Sequence, residues 1–391
     1  MKRMVLPQNV EKVFSGKMPN GFINNVNGWF FTKREVKQAA KKGKLLTLDV
    51  DMSGKGICSL KCPHCFRRSN EFLKMKVRDF VSYDELLVRI DEARKLGLKS
   101  VKLIGPGEPL EDPNFIKLLI ALRKRNITPI VFTKSYILGD DSLCQKLHGM
   151  DGKTMIKLLK ELDVSILFGV TSFNSEYEDG VVGRIGFHKA REEAIRRLCE
   201  AGFNEFVPGQ ATRLAMVFNP ITPYNINEIY DAYVWARERN IHPISSPTMV
   251  AGKGLDTISS ILPDKDKLID LYVKINLWAI EHEVYTLSDI KKYGVASYVG
   301  GHWCNQISVG MFMRGDGIVL RCPGDDITIQ GDINEQSLTQ IWNNSENKRK
   351  YAGQFNNGCP PKDGQNSTGA RSFPEGFFVE VKRRILDYFK R

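Results

Sequence analysis

Lys44-Leu45-Leu46-Thr47-Leu48-Asp49-Val50, followed by Ile57-Cys58-Ser59-Leu60-Lys61-Cys62-Pro63-His64-Cys65-Phe66, decides how this chain is read. The first run is strand-like. The second places three cysteines at C-x-x-x-C-x-x-C spacing. Three thiolates on one short loop can hold three irons of a cubane cluster, which normally takes four cysteines. The fourth iron is then open to a substrate or cofactor. The competing readings are three buried cysteines or a structural zinc site. Zinc sites usually pair two Cys-x-x-Cys units, or one such unit with two histidines. His64 lies between Cys62 and Cys65, too close to complete a normal tetrahedron with both. The spacing favours iron–sulfur.

With 391 residues the chain is long enough for a sizeable core and more than one domain. Hydrophobic residues make up 42% and charged residues 26%, which reads as globular and water-soluble. No apolar run approaches the roughly 20 residues of a membrane helix. Met1-Lys2-Arg3-Met4-Val5-Leu6-Pro7-Gln8 lacks the apolar centre of a secretory signal. The expectation is a cytoplasmic protein with no membrane partner, since reduced thiols suit metal binding. A net charge of +12 favours an anionic partner. The basic clusters Lys41-Lys42-Gly43-Lys44, Arg123-Lys124-Arg125 and Lys382-Arg383-Arg384 also fit ordinary solvated faces. Nucleic acid is set aside as a partner, because no recognition fold and no interleaved aromatic-basic motif is present.

Residues 1–43 read as an extension ending in a polar helix over 32–42, too short for a separate peptide-binding domain. Strands are expected at 45–50, 100–104, 127–133, 164–171, 212–219 and 241–247. Helices are expected at 82–96, 114–125, 155–161, 189–201 and 225–239. Strands alternating with helices imply right-handed crossovers and a parallel sheet. A helix over 264–283 leaves this pattern. Residues 307–314 and 318–322 alternate around Gly315-Asp316-Gly317, a strong hairpin signal. An amphipathic basic helix closes the chain at 377–391.

The cysteine loop behind a strand resembles the signature of the radical S-adenosylmethionine (SAM) superfamily, and six strand–helix units fit that family's partial (β/α)6 TIM-like barrel. The resemblance spans roughly residues 44–250. Leu103-Ile104-Gly105-Pro106-Gly107-Glu108-Pro109-Leu110 is similar to the family's Gly-Gly-Glu-Pro element, with Pro106 at the first glycine position. It implies that Gly107 and Glu108 serve the SAM amino group. Phe132-Thr133-Lys134-Ser135 resembles the Thr-Asn-Gly segment, with Lys134 and Ser135 departing from it. Ser172, in Val170-Thr171-Ser172-Phe173-Asn174-Ser175, matches a serine that contacts the SAM ribose. Arg184, after Gly183, matches an arginine that approaches the SAM carboxylate. Outside the resemblance, such a serine reads as a turn residue and such an arginine as a surface charge. The implied chemistry is one-electron cleavage of SAM to a 5′-deoxyadenosyl radical that removes hydrogen from an unactivated carbon. The cofactor supplies the hard step, and the protein supplies orientation and exclusion of water.

Cys304, Cys322 and Cys359 form a second set, with glycine or proline beside two of them. The run 315–322, then Gly331-Asp332-Ile333-Asn334 and Ser337-Leu338-Thr339-Gln340-Ile341-Trp342, resembles SPASM and twitch domains. Full SPASM domains use seven cysteines; three imply one second 4Fe-4S cluster in a shortened, twitch-like version. Its fourth position is open or takes a non-cysteine ligand. Three structural cysteines, or a zinc site with His302, are the alternatives. Cys199, at helical spacing from Ile195, and Cys144 read as core thiols, with hydrogen-atom donation the alternative for either.

The resulting division is an extension at 1–43, a barrel at 44–260, a linking helical region at 261–300 and a hairpin/helix auxiliary-cluster domain at 301–391. The expected cofactors are a SAM-binding 4Fe-4S cluster, SAM, and a second 4Fe-4S cluster. An electron donor such as flavodoxin or ferredoxin is the expected protein partner. The expected activity is oxidoreductase- or epimerase-type: hydrogen abstraction from a polar, sugar- or nucleoside-like molecule, giving dehydrogenation or epimerisation. The alternatives are modification of a ribosomal peptide and a non-catalytic iron–sulfur or nucleic-acid-binding protein.

Overall fold

The computed structural model describes residues 5–52, 58–68, 80–355 and 358–390; residues 1–4, Ile57, Asn357 and Arg391 lie outside this set. Six strands run in chain order with helices between them: β1 (Thr47–Val50), β2 (Ser100–Leu103), β3 (Thr128–Thr133), β4 (Ser165–Val170), β5 (Leu214–Phe218) and β6 (His242–Ile244). Each pairs in parallel with the next. The crossover helices include Tyr83–Lys95, Phe115–Lys124, Gly152–Glu161, Phe187–Glu200 and Ile226–Glu238. This is the parallel sheet that the alternation predicts, in the partial (β/α)6 form that the resemblance implies. Helix starts follow local chemistry: Thr32 and Glu35 form a reciprocal capping box, and the Ser82 hydroxyl accepts from the Glu85 amide.

Strand alternation sorts the side chains. Leu48, Val50, Val101, Leu103, Val131 and Ile166 point into the helix-facing core. A second cluster of Val26, Ile130, Leu167, Ala215, Val217 and Ile244 fills the barrel interior, with Trp29, Phe132 and Tyr298 packed against it. Val26 and Trp29 come from the amino-terminal extension. That segment is therefore a plug: Val26 bridges to Thr212, and Gly28 approaches β2 and β3 so closely that an added Cβ would lie 3.2 Å from Ile130 and Thr128.

The carboxy-terminal strands join the same sheet. β7 (Gly310–Met313) pairs in parallel with β1, while β8 (Ile318–Leu320) and β9 (Ile329–Asp332) continue antiparallel. The order is β6-β5-β4-β3-β2-β1-β7-β8-β9. The sequence reading is corrected at one point: Gln306–Val309 is a helical turn, so the hairpin's first strand starts at Gly310. The helix Phe377–Tyr388 lies on the long helix Lys265–Glu281. Phe377 meets Tyr272 edge-on at 4.9 Å, and Arg384 pairs with Asp270 at 2.8 Å. Arg123 pairs with Asp163, Arg125 with Asp91, and Arg383 with Glu380 and Asp387, so these clusters read as solvated faces. Among the described residues no helix is long and apolar enough to cross a membrane.

Candidate radical SAM and auxiliary-cluster site

The first cysteine loop is clamped from three sides. The Lys61 amide donates to the Val182 carbonyl (2.8 Å). The Cys65 carbonyl accepts from the Lys253 amide (3.1 Å). Glu111 takes the Ser59 amide at 3.0 Å and the Ser59 hydroxyl at 2.8 Å, and Tyr136 donates to the same carboxylate at 2.5 Å. The Arg184 guanidinium lies 4.8 Å from the centre of the Tyr136 ring. A fourth tie runs to the carboxy-terminal strands. Asp51, just past β1, accepts from Arg67 at 2.7 Å and from the Gly315 amide at 2.8 Å. Arg67 in turn lies over Phe312 at 4.2 Å. One buried carboxylate thus joins the cysteine loop to the β7–β8 turn. Burial raises its pKa to about 6, against the pull of Arg67.

Burial also raises the thiols: Cys58 to about 12, Cys304 to about 11, and Cys62, Cys322 and Cys359 upward. Cys62 opposes ionisation of Cys58, Cys65 that of Cys62, and Cys359 that of both Cys304 and Cys322. Buried grouped thiols need positive charge to ionise, and iron supplies it. Two soft, sulfur-only donor sets suit iron–sulfur clusters. Among the described residues no three His, Cys, Asp or Glu side chains converge on a single-ion position. His302 Nδ1 instead bonds the Trp303 carbonyl oxygen, and its ring stacks on Phe30 at 4.9 Å. His64 is held neutral by burial, its pKa lowered to about 3.

Both sets open onto one cavity of about 240 Å³, whose lining includes Cys62 and Cys65 of the first set and Cys304, Cys322 and Cys359 of the second. Its wall is mostly apolar, with Phe132, Leu167, Val217, Ile244 and Met249. Asp49, Lys102, Lys134 and Lys362 are its charged members. Asp49 and Lys102 are register partners on β1 and β2 and pair at 3.6 Å; Lys102 also bonds Gln306 Oε1. Burial raises Asp49 to about 6 and lowers Lys102.

The four residues assigned to SAM are not among the wall residues of this cavity. Glu108 is 3% exposed and braces the loops. It accepts from the Lys134 amide at 2.8 Å, from the Leu110 amide at 3.3 Å and from the Thr133 hydroxyl. Burial raises it to about 7. Gly107 sits in the tight turn after β2, where Gly105 has φ +110° and an added Cβ would lie 3.0 Å from the Gly107 nitrogen. The Ser172 hydroxyl donates to Glu228 at 2.7 Å and accepts from the Asn174 amide at 2.9 Å. Arg184 stands beside the cysteine loop through Tyr136. Cys144 and Cys199 line no part of the cavity; Cys144 is fully buried in the core and Cys199 is partly buried against it. Lys134, a departure from the Thr-Asn-Gly pattern, does line it; Gly169 leaves room for the lysine stem, 3.1 Å from where a Cβ would stand.

Against known families, residues 52–232 match the radical SAM superfamily model, and residues 304–364 match the SPASM iron–sulfur cluster-binding domain. Residues 52–232 are a radical SAM domain and residues 304–364 a SPASM domain. The chain's fold is similar to that of anSMEcpe with bound AdoMet: TM-score 0.58 at 15% identity, covering 88% of this chain and 93% of that one. It is also similar to Streptococcus suis SuiB bound to precursor peptide SuiA: TM-score 0.52 at 17% identity, over 88% and 79% of the two chains. A PqqA peptide cyclase of Gluconobacter oxydans (strain 621H) is 25% identical over 213 residues, 54% of this chain. The match spans about half, 52%, of that relative's length. The radical SAM and SPASM portions carry the SAM-binding and additional iron–sulfur clusters expected of them.

Glu111 and Tyr136 were not singled out by sequence reasoning. A carboxylate that accepts from a loop 52 residues back leaves no local pattern; the only signal is its place three residues after Glu108. Glu111→Ala removes the acceptor of three donors, each worth about 1.5–3 kcal/mol to a charged group before solvent screening. The expected result is lower iron occupancy of the first site after reconstitution, with the second site's iron retained. Iron analysis in a background lacking Cys304, Cys322 and Cys359 measures the loss, and in one lacking Cys58, Cys62 and Cys65 the retention.

Proposed function

We propose that this radical SAM/SPASM protein is a peptide-modifying enzyme that oxidises a side chain or backbone carbon of a short peptide, giving a cross-link or a double bond. The observation that carries the reading is the shared cavity: a substrate group seated there faces both cysteine sets at once. The likeness to SuiB with its precursor peptide and to a PqqA peptide cyclase supports a peptide over the sugar- or nucleoside-like substrate first inferred.

Cys58, Cys62 and Cys65 hold the cluster that binds SAM, and that group, when loaded and reduced, supplies the radical that removes the substrate hydrogen atom. Gly107, Glu108, Ser172 and Arg184 shape the SAM side, through the loops they brace. Cys304, Cys322 and Cys359 would hold the second cluster, which when bound would supply an acceptor for one electron. The substrate therefore loses one hydrogen atom, one electron and one proton, a net loss of two hydrogens. Asp49, a carboxylate on the cavity wall, is placed to receive the proton. The apolar wall keeps water from the substrate radical. A flavodoxin- or ferredoxin-like donor supplies the initiating electron, and the reducing cytoplasm suits both donor and thiols.

The test is incubation of the reconstituted, dithionite-reduced protein and SAM with short peptides encoded beside its gene. The expected product is a peptide lighter by two hydrogens, formed with 5′-deoxyadenosine. Peptides left unaltered, while a sugar or nucleoside panel yields an oxidised or epimerised product, would return the assignment to the small-molecule reading.

A further inference from the structure

Lys362 lies three residues after Cys359, at the end of the short helical turn Pro360–Lys362 that Cys359 begins. It is 2% exposed and lines the cavity on the side of the second cysteine set. Its ammonium donates to the Ser246 hydroxyl and, at 2.6 Å, to the Pro247 carbonyl oxygen. Both partners are neutral. Among the described residues it forms no ion pair; the adjacent Asp363 carboxylate instead accepts from the Cys359 amide at 3.1 Å. Lys102, the other buried lysine beside this set, differs, because Asp49 stands 3.6 Å away and offsets its charge.

Burying an ammonium without a counter-charge costs several kcal/mol. A fold retains such a cation where an anion completes the site. Three thiolates around an iron–sulfur cluster bring net negative charge to that place, and the charge grows by one on reduction. We propose that Lys362 is the counter-charge of the auxiliary cluster held by Cys304, Cys322 and Cys359, and that it raises this cluster's reduction potential. The inference rests on those three cysteines being the ligands. Charge near a cluster is a main determinant of its potential. A cation anchored on Ser246 and Pro247, at the end of β6, stabilises the more negative reduced form and makes the cluster a better electron acceptor.

The experiment uses the full chain with Cys58, Cys62 and Cys65 replaced by alanine, so that only the auxiliary cluster is present. It compares parent, Lys362→Met and Lys362→Arg by iron analysis and by potentiometric titration followed by EPR. The parent should hold about four irons by cubane stoichiometry. Lys362→Met keeps the length of the side chain and loses the charge. It should lower the equilibrium constant for reduction at least tenfold, a shift of about 59 mV toward negative potential for one electron. Lys362→Arg should stay near the parent. Lys362→Met that loses iron where Lys362→Arg keeps it also supports the counter-charge role. Unchanged potential in an iron-loaded Lys362→Met protein overturns it. A parent without iron overturns the ligand assignment itself, a failure recognised before any potential is read.

Discussion

Replacing Cys62 by alanine should reduce conversion of SAM to 5′-deoxyadenosine to background, with dithionite as reductant. Cys58→Ala and Cys65→Ala should do the same. The loop's surroundings make the prediction sharp. Ser59 is tied to Glu111, Lys61 to Val182 and the Cys65 carbonyl to Lys253, so the backbone stays in place when one thiol is lost. What fails is the ligand count, since two thiolates hold a cubane poorly. Iron analysis on the same samples should fall by about four irons, by the same stoichiometry. A Cys62→Ala protein that cleaves SAM at the parental rate would exclude this loop as the site.

The barrel was legible because a parallel sheet covered by helices buries both faces of its strands. Such strands read as short apolar runs bounded by turn signals. The six expected strands each fall within a few residues of β1 to β6. The pairing of β7 with β1 was not legible. It joins Thr47 to Gly310, and nothing in either tetrapeptide records a partner so far away. The role of the extension was missed for a related reason. Val26 and Trp29 look like ordinary apolar residues until β3, β4 and β5 supply the interior they fill.

The candidate site divides along the same line. Cysteine spacing is local chemistry and singled out Cys58, Cys62 and Cys65, whereas Cys304, Cys322 and Cys359 were read from their glycine and proline neighbours and from the resemblance of the hairpin. Glu108 and Ser172 were assigned by resemblance, and the structure gives each a full set of protein partners. Their observed work is to hold loops in register. Asp49 and Lys102 show the opposite case. Each alternates with apolar residues in its strand, and only the register between β1 and β2 makes them a buried pair on the cavity wall.

The replacement of Cys304, Cys322 and Cys359 together should separate the two halves of the chemistry. Iron should fall from about eight to about four per chain, by cubane stoichiometry. SAM cleavage with dithionite should continue, within a few-fold of the parent rate. Cys304 precedes the Gln306–Val309 turn, Cys322 follows β8 and Cys359 begins the Pro360–Lys362 turn, whereas the first loop's clamps are Glu111, Val182 and Lys253. None of those clamps uses the second set. Asp51, which ties the regions through the Gly315 amide and Arg67, involves no cysteine and should keep these bonds. Peptide oxidation should nevertheless stop, because the acceptor for the electron is gone. Circular dichroism guards the comparison: a triple variant that has lost both SAM cleavage and its native spectrum has a collapsed sheet. A folded triple variant that keeps the parent's iron content would mean that these cysteines hold no cluster. One that loses four irons yet still oxidises peptide at the parental rate would make the second cluster structural.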